Sequence, residues 1–139
     1  MVVLDTNVIS ALMHEPPRSE VTAWLDRQPR VSIWTTSITI MEIRRGIESL
    51  ALGRRRTRLQ LAMETLVAQK IEHRIAAFDT AAANAAAVLM AERQRAEQPG
   101  DMRDTMIAGI VIASHATLAT HNARHFADLS VPVVDPWQA

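Results

Sequence analysis

The sequence contains no cysteine, and this absence excludes several classes of protein. Without a thiol the chain forms no disulfide, offers no thiolate nucleophile and builds no cysteine-ligated zinc or iron–sulfur site. Tyrosine is absent too, and aromatic residues make up only 4% of the chain, which argues against a sheet that binds nucleic acid by stacking bases on aromatic rings. The 4 glycines are scattered and form no phosphate-binding loop. Thiol chemistry and aromatic base stacking are therefore not the basis of its function.

An excess of charge of either sign is also missing. The 15 basic and 15 acidic residues give a net charge of +0, which argues against a polyelectrolyte that holds nucleic acid by bulk charge. No apolar run reaches the roughly 20 residues that span a bilayer, and the first residues lack the basic segment of a signal peptide. We therefore expect a cytoplasmic protein with no membrane partner. Its 139 residues, 48% of them hydrophobic, predict one domain over 1–139.

Short apolar runs alternate with helical patterns along this domain. We expect strands over residues 2–4, 31–35, 75–78, 116–120 and 131–134, and helices over 7–13, 18–27, 37–52, 54–70, 79–98 and 102–115. Asn7, Ser37 and Asp79 have side chains suited to capping three of these helices. Strands that alternate with helices predict a three-layer α/β/α domain with a central, mostly parallel sheet.

Three acids and one amide fall at one edge of this predicted sheet. Asp5 follows the first strand, Glu42 lies early in the helix after the second strand, Asp104 begins a later helix, and Asn122 follows the fourth strand. Reactive sites of open α/β sheets lie outside the carboxyl ends of the strands. Each residue alone has an ordinary interpretation as a turn, salt-bridge, helix-start or loop residue. Their convergence is what indicates a site.

Clustered carboxylates repel one another and lose solvation unless a cation neutralises them. Oxygen-only ligands suit Mg²⁺ or Mn²⁺ far better than zinc. A divalent ion held by such ligands polarises a phosphate and activates a water molecule for phosphodiester cleavage. The pattern therefore favours a metal-dependent phosphodiesterase.

Four segments carry a resemblance to a known family. The segments LDTNVIS (residues 4–10), TIMEIRRG (39–46), RDTMIAG (103–109) and LATHN (118–122), the last followed by Phe126, resemble in order the motifs of the PIN-domain nucleases. The chain is most similar to the toxin ribonucleases of bacterial VapBC modules. Within these it resembles the FitB-like branch, which has a similar length and ends near a Pro-Trp pair, here Pro136-Trp137.

The resemblance implies a PIN-like fold and a metal-dependent endoribonuclease, the toxin of a type II toxin–antitoxin module. By position, Asp5, Glu42 and Asp104 would bind Mg²⁺ or Mn²⁺, and Thr6 would orient Asp5 or a bound water. Many relatives have an acid where this chain has Asn122. Because an amide brings no negative charge, it remains open whether the site binds one ion or two. Asp101, one turn before Asp104, is either a helix cap or a further contributor.

The resemblance also implies partners. These are an RNA substrate, a second copy of the chain in a homodimer, and a cognate VapB-like antitoxin whose carboxy-terminal segment wraps the toxin and blocks the acidic pocket. Six arginines and one acid occupy residues 44–58; this basic run is a solvated helical corner, a guide for RNA phosphates or a receiver of acidic antitoxin residues. The apolar residues of 18–27 and 37–52 suit core packing as well as a groove and dimer interface; they are Trp24, Leu25, Ile43, Ile47 and Leu50.

Other functions remain open at this point. A phosphoaspartyl phosphatase or receiver-like domain would also use a strand-end Asp, but it needs a second acid and a lysine nearby, and the only lysine is Lys70. A catalytically weak module could instead bind a DNA-binding antitoxin and act in transcriptional regulation. His121 and His125 have a metal-ligand spacing, but no third ligand completes a zinc set, and His125-Phe126 more simply packs a loop beneath the last strands.

Overall fold

Five short parallel strands form one sheet in a computed structural model that describes residues 1–139. The strands are β1 (Val2–Leu4), β2 (Ile33–Thr36), β3 (Ile75–Ala76), β4 (Thr117–Ala119) and β5 (Val133–Val134). Their order across the sheet is β3-β2-β1-β4-β5, and every neighbouring pair is parallel. The central strand β1 pairs Val3 with Trp34 on one side and with Leu118 on the other. The carboxyl ends of β1, β2 and β4 therefore meet at one edge.

Six helices connect these strands. They are α1 (Thr6–Met13), α2 (Ser19–Asp26), α3 (Ser37–Glu48), α4 (Arg54–Thr65), α5 (Thr80–Arg95) and α6 (Met102–Ala113). A π-helical turn, Leu66–Ile71, extends α4, and 3₁₀ turns occupy Arg30–Ser32 and Ala123–Phe126. None of the helices is both long and apolar enough to cross a membrane.

The sheet separates two hydrophobic cores. Alternate residues of a strand point to opposite faces, so Leu4 packs in the core that contains α1, α2 and α4, whereas Val3 packs in the core that contains α5 and α6. Helix α3 contributes Ile47 to the first core and Ile38 to the second. The predicted three-layer α/β/α architecture is therefore confirmed.

Two of the predicted helix caps are wrong. Asp5, rather than Asn7, caps α1 by accepting a hydrogen bond from the backbone N–H of Thr6. Thr36, rather than Ser37, caps α3 and accepts from the backbone N–H of Thr39 at 3.0 Å. In both cases the helix begins directly after its strand, without an intervening loop. The caps at Asp79 and, for α6, Asp101 are as the sequence indicated.

Helix α5 ends at Arg95, three residues before the predicted boundary, because a Schellman motif terminates it. The backbone N–H of Gln98 donates to the carbonyl of Arg93, and that of Glu97 to Gln94, with Glu97 at a φ of 59°. Non-glycine residues rarely adopt this left-handed conformation, so sequence alone gave no signal for the early end.

A buried arginine joins the layer formed by α5 and α6 to the segment after β4. The guanidinium of Arg93 forms two hydrogen bonds with Asp128, at 2.8 and 3.0 Å, and one each with the hydroxyl of Thr105 and the carbonyl of His125. These bonds offset the cost of burying the charge, and they hold the pKa of Asp128 below its ordinary value.

Helices α5 and α6 pack closely at Gly109, and this contact yields a stability prediction. A Cβ at position 109 would lie 2.5 Å from the carbonyl oxygen of Ala82 and 2.7 Å from the Cβ of Ala86. We expect Gly109→Ala to lower the free energy of unfolding by about 1–3 kcal/mol, because the two helices must separate. Urea denaturation measures the change.

The matched control is Gly46→Ala in the interior of α3, where no atom lies within 4 Å of the added Cβ. This variant should match the parent or gain up to about 1 kcal/mol, since alanine favours the helix. Equal stability of the two variants would contradict the close approach of α5 and α6.

Candidate active site

The carboxylate of Asp5 is buried at the point where β1 and β4 end side by side. Only 3% of Asp5 is exposed. Its Oδ1 accepts the backbone N–H of Thr6 at 2.8 Å, and its Oδ2 accepts the hydroxyl of Thr120 at 2.7 Å. Burial raises the pKa of Asp5, the two hydrogen bonds oppose the rise, and the charges of Asp104 and Glu42 add to it. The hydrogen bonds thus fix the carboxylate in place but do not fully offset its loss of solvation.

Glu42 reaches the same edge from α3 and is fixed by threonine hydroxyls. Its Oε1 accepts the hydroxyl of Thr6 at 2.9 Å, and that hydroxyl lies 3.1 Å from the hydroxyl of the fully buried Thr39. Its Oε2 lies 3.7 Å from the guanidinium of Arg103. The side-chain hydroxyl of Thr6 therefore orients Glu42, while the backbone amide of the same residue orients Asp5.

Asp104 lies half-buried in the first turn of α6. Burial raises its pKa, the charges of Asp101 and Glu42 raise it further, and His125 and Arg103 oppose the rise. The Nδ1 of His125 lies 3.9 Å from Oδ2 of Asp104. Asp101 caps α6 through the backbone N–H groups of Arg103 and Asp104, and these bonds lower its pKa. Asp104, unlike Asp101, therefore carries a charge that its surroundings disfavour.

Asn122 lies at this edge, but its side chain is exposed and makes no hydrogen bond to the acids. Only its backbone N–H contacts the site, by donating to the hydroxyl of Thr120 at 3.1 Å. The amide that does join the strand ends is Asn7, which donates to Thr120 at 3.2 Å and accepts the backbone N–H of His121 at 3.1 Å. Sequence reasoning missed Thr120 and Asn7, although each lies within three residues of the end of a central strand.

The acidic edge has the donor chemistry that a hard divalent cation requires. Asp5, Glu42 and Asp104 offer only oxygen ligands, and burial, together with the charges of neighbouring acids, raises the pKa of both aspartates. As positioned, no three acidic or histidine side chains are grouped tightly enough to ligate one ion. Glu42 instead faces Thr6 and Arg103. The residues therefore fit Mg²⁺ or Mn²⁺ in type, and a three-carboxylate site requires a rotation of side chains.

Two concave surfaces flank the acids. The Asp104 pocket, of about 400 Å³, is lined mainly by polar residues that include Asp104, Arg124 and His125. The arginine groove, of about 500 Å³, contains Thr6 and Glu42 at one end and is lined by Arg45, Arg55 and Arg58. An extended chain that crosses the acids would therefore occupy both surfaces.

The basic run of residues 44–58 divides between ion pairs and the arginine groove. Arg44 and Arg56 both pair with Glu48, at 2.9 and 2.6 Å. Arg58 pairs with Glu15 at 3.3 Å while lining the groove. The run is therefore partly the solvated corner and partly the basic surface that the sequence left open.

The apolar residues proposed for an interface are mostly core residues. Trp24, Leu25 and Ile47 are buried in the core beneath α1 and α3. Ile43 and Leu50 are partly buried and line the arginine groove. Core packing therefore accounts for Trp24 and Leu25, whereas Ile47 both packs in the core and lines the groove.

The two histidines do not form a metal pair. His121 lies 3.3 Å from a carboxylate oxygen of Asp135, and its ring stacks on Trp137 with centroids 4.1 Å apart. His125 faces Asp104 instead, and the adjacent Phe126 is 1% exposed in the core beside α6. The packing role predicted for Phe126 is confirmed.

Lys70 lies at the opposite edge of the parallel sheet from Asp5. It belongs to the π-helical turn before β3, at the amino end of that strand, and lines a separate cavity with Leu25 and Arg30. The acids lie at the carboxyl ends of the strands. The receiver-like alternative is therefore excluded by the side of the sheet on which its lysine lies.

The raised pKa of Asp104 predicts a pH-dependent stability. Because the native state binds this proton more tightly than the unfolded chain, ionisation of Asp104 opposes folding, and stability falls as pH rises through the native pKa. In the metal-free protein we expect Asp104→Asn to raise the melting temperature by a few degrees near neutral pH, with the gain fading towards about pH 4. Thermal melts in a chelator across this range measure it.

Asp101→Asn is the matched control, because the pKa of Asp101 is lowered and the sign reverses. Its carboxylate contributes stability above the unfolded pKa that is lost as pH falls through the native one. This variant should be no more stable than the parent at neutral pH. A gain in melting temperature equal to that of Asp104→Asn would contradict the conclusion that ionised Asp104 destabilises the native state.

Comparison with known proteins identifies the family. The PIN domain family matches residues 2–131. VapC ribonuclease Y4jK of Sinorhizobium fredii is 33% identical over 138 residues, which are 99% of each chain, and Toxin FitB of Neisseria gonorrhoeae is 29% identical over 137 residues, again 99% of each. A solved structure of FitAB bound to an IR36 DNA fragment superposes with a TM-score of 0.88 at 30% identity, covering 99% of this chain and 96% of that one. The chain therefore belongs to the PIN-domain family, in the group of the VapC and FitB toxins.

Proposed function

We propose that this protein is a Mg²⁺- or Mn²⁺-dependent endoribonuclease and the toxin of a type II toxin–antitoxin module. The observation that carries the proposal is the convergence of Asp5, Glu42 and Asp104 at the carboxyl edge of the sheet, where burial and neighbouring acids raise the pKa of both Asp5 and Asp104 and so the cost of ionising them. A divalent ion relieves that cost. The ribonuclease name of the Sinorhizobium relative supports RNA as the substrate.

When bound, a divalent ion polarises a phosphodiester and lowers the pKa of a water molecule. The protein's own contribution is preorganisation. Asp5 is held by the Thr6 amide and the Thr120 hydroxyl, so its position is set before any ligand arrives. The hydroxyl of Thr6 holds Glu42 beside it. Because this chemistry does not need the 2′-hydroxyl, the choice of RNA rests on the relatives rather than on the site.

The two concave surfaces suit a single nucleic-acid strand that passes over the acids. In this arrangement Arg45 and Arg55 in the arginine groove contact phosphates on one side of the scissile bond, and Arg124 in the Asp104 pocket contacts phosphates on the other. A neutral chain can therefore bind RNA through local patches, without the long-range field of a basic protein.

The arginine groove also suits the carboxy-terminal segment of a VapB-like antitoxin. Its lining includes apolar residues of α1, α3 and α4 together with the three arginines. A segment with apolar anchors and acidic residues would fill the groove and cover Glu42. Blocking of this kind would neutralise the toxin, which we further propose to act as a homodimer assembled with the antitoxin.

Asp104→Asn tests the proposal directly. We expect this variant to fold and to lose Mg²⁺-dependent cleavage of cellular RNA by at least about 100-fold, because a ligand charge is removed from the site. Cleavage mapping on total RNA with and without Mg²⁺ measures the loss, and circular dichroism checks the fold. Asp26→Asn, the same change in exposed residue 26 of α2, should cleave like the parent.

Two results would count against the proposal. A folded Asp104→Asn protein that cleaves RNA at the parental rate would contradict the assignment of Asp104 to the active site. No Mg²⁺-dependent cleavage of varied RNAs by the antitoxin-free protein would instead favour the second candidate function, a catalytically weak module that acts in transcriptional regulation with a DNA-binding antitoxin. The structural match to FitAB bound to DNA is the observation behind that candidate.

A further inference from the structure

Arg103 is the arginine paired with the acidic edge. Its Nη1 lies 3.7 Å from Oε2 of Glu42, and its Nη2 lies 3.7 Å from Oδ2 of Asp101. No other lysine or arginine forms an ion pair with Asp5, Glu42, Asp101 or Asp104. The side chain is 43% exposed, so the guanidinium lies at the mouth of the site rather than in its interior.

The pair with Glu42 has a consequence for the metal. Glu42 has two carboxylate oxygens, of which one accepts the Thr6 hydroxyl and the other faces Arg103. A cation that binds Glu42 through Oε2 competes with this guanidinium for the same carboxylate. Arg103 thus gives the metal-free protein a partial substitute for the missing positive charge.

We propose that Arg103 is a resident counter-ion that competes with the divalent ion for Glu42 and, when Glu42 binds metal, contacts a phosphate of the RNA. This inference rests on the proposed function. If metal binding draws Glu42 away, Arg103 keeps Asp101 as its one carboxylate partner, at 3.7 Å, and its Nη1 becomes free to donate to a phosphate of an RNA that passes Glu42 and Asp104. Its planar set of donors matches phosphate oxygens. Removal of the positive charge of Arg103 should therefore strengthen metal binding but weaken the contact with RNA.

The first measurement is Mn²⁺ affinity, followed by the electron paramagnetic resonance of the free ion during a titration without RNA. We expect Arg103→Gln to bind Mn²⁺ about two- to fivefold more tightly than the parent, the range set by a partly exposed ion pair. Arg44→Gln is the matched control. Arg44 lies two residues from Glu42 on the same helix, but its partner is Glu48, so its loss should leave Mn²⁺ affinity within error of the parent.

We expect a different result if Arg103 only stabilises the packing of α3 against α6. It would lower the melting temperature of Arg103→Gln while leaving its Mn²⁺ affinity unchanged, and that result would overturn the proposal. Arg103→Lys keeps the positive charge, so it should bind Mn²⁺ like the parent. Equal tightening in the lysine and glutamine variants would also overturn the counter-ion role, because charge would then not be the cause.

The second measurement is the salt dependence of kcat/KM for RNA cleavage in saturating Mg²⁺. Loss of one phosphate contact should make the slope of log kcat/KM against log salt shallower by about 0.7 in Arg103→Gln, and Arg103→Lys should restore the slope. An unchanged slope would refute the phosphate contact. If the parent cleaves no RNA, the proposed function fails, whereas the Mn²⁺ titration still decides the counter-ion role by itself.

Discussion

The structure depends on how the carboxylate of Asp5 is buried. A charge taken out of water is costly unless hydrogen bonds replace its solvation, and here the donors come from the first turn of α1 and from Thr120 beyond β4. One side chain therefore ends the central strand, caps the helix that follows and links two neighbouring strands. Because its pKa is still raised, the compensation is incomplete. The same burial that organises the sheet edge therefore raises the cost of ionising Asp5, which a bound cation would lower.

Threonine hydroxyls hold Glu42, the acid that α3 contributes to this edge. Thr6 and Thr39 form a short hydrogen-bonded series that holds Glu42, and Thr39 is in turn bonded to the helix cap Thr36. Thr36 is the last residue of β2, whereas Thr6 and Thr39 lie in the first turns of the helices that follow β1 and β2. These hydrogen bonds fix Glu42 beside Thr6, and a three-carboxylate metal site requires Glu42 to turn away from Arg103. The chain has zero net charge, but acids are concentrated at the sheet edge and arginines in the adjoining groove.

The sequence predicted the placement of the acids because that placement follows from simple rules. Strand-end position brings Asp5 to the edge, and the carboxyl ends of parallel strands coincide. The hydrogen-bond partners could not be predicted in the same way. Asn7 and Asp5 are both good helix caps, and only the burial of Asp5 decides between them. The bonds from Arg93 to Asp128 and from Thr6 to Glu42 join residues 35 and 36 positions apart, and no local pattern encodes such pairs.

We propose that Asp5, Glu42 and Asp104 together bind a divalent cation. The most direct test is anomalous diffraction from crystals of the protein soaked in Mn²⁺. We expect one strong Mn²⁺ peak within ligand distance of Asp5 and Asp104, with Glu42 turned away from Arg103. A saturating soak with no peak at this edge, or with Mn²⁺ bound only elsewhere, would contradict it.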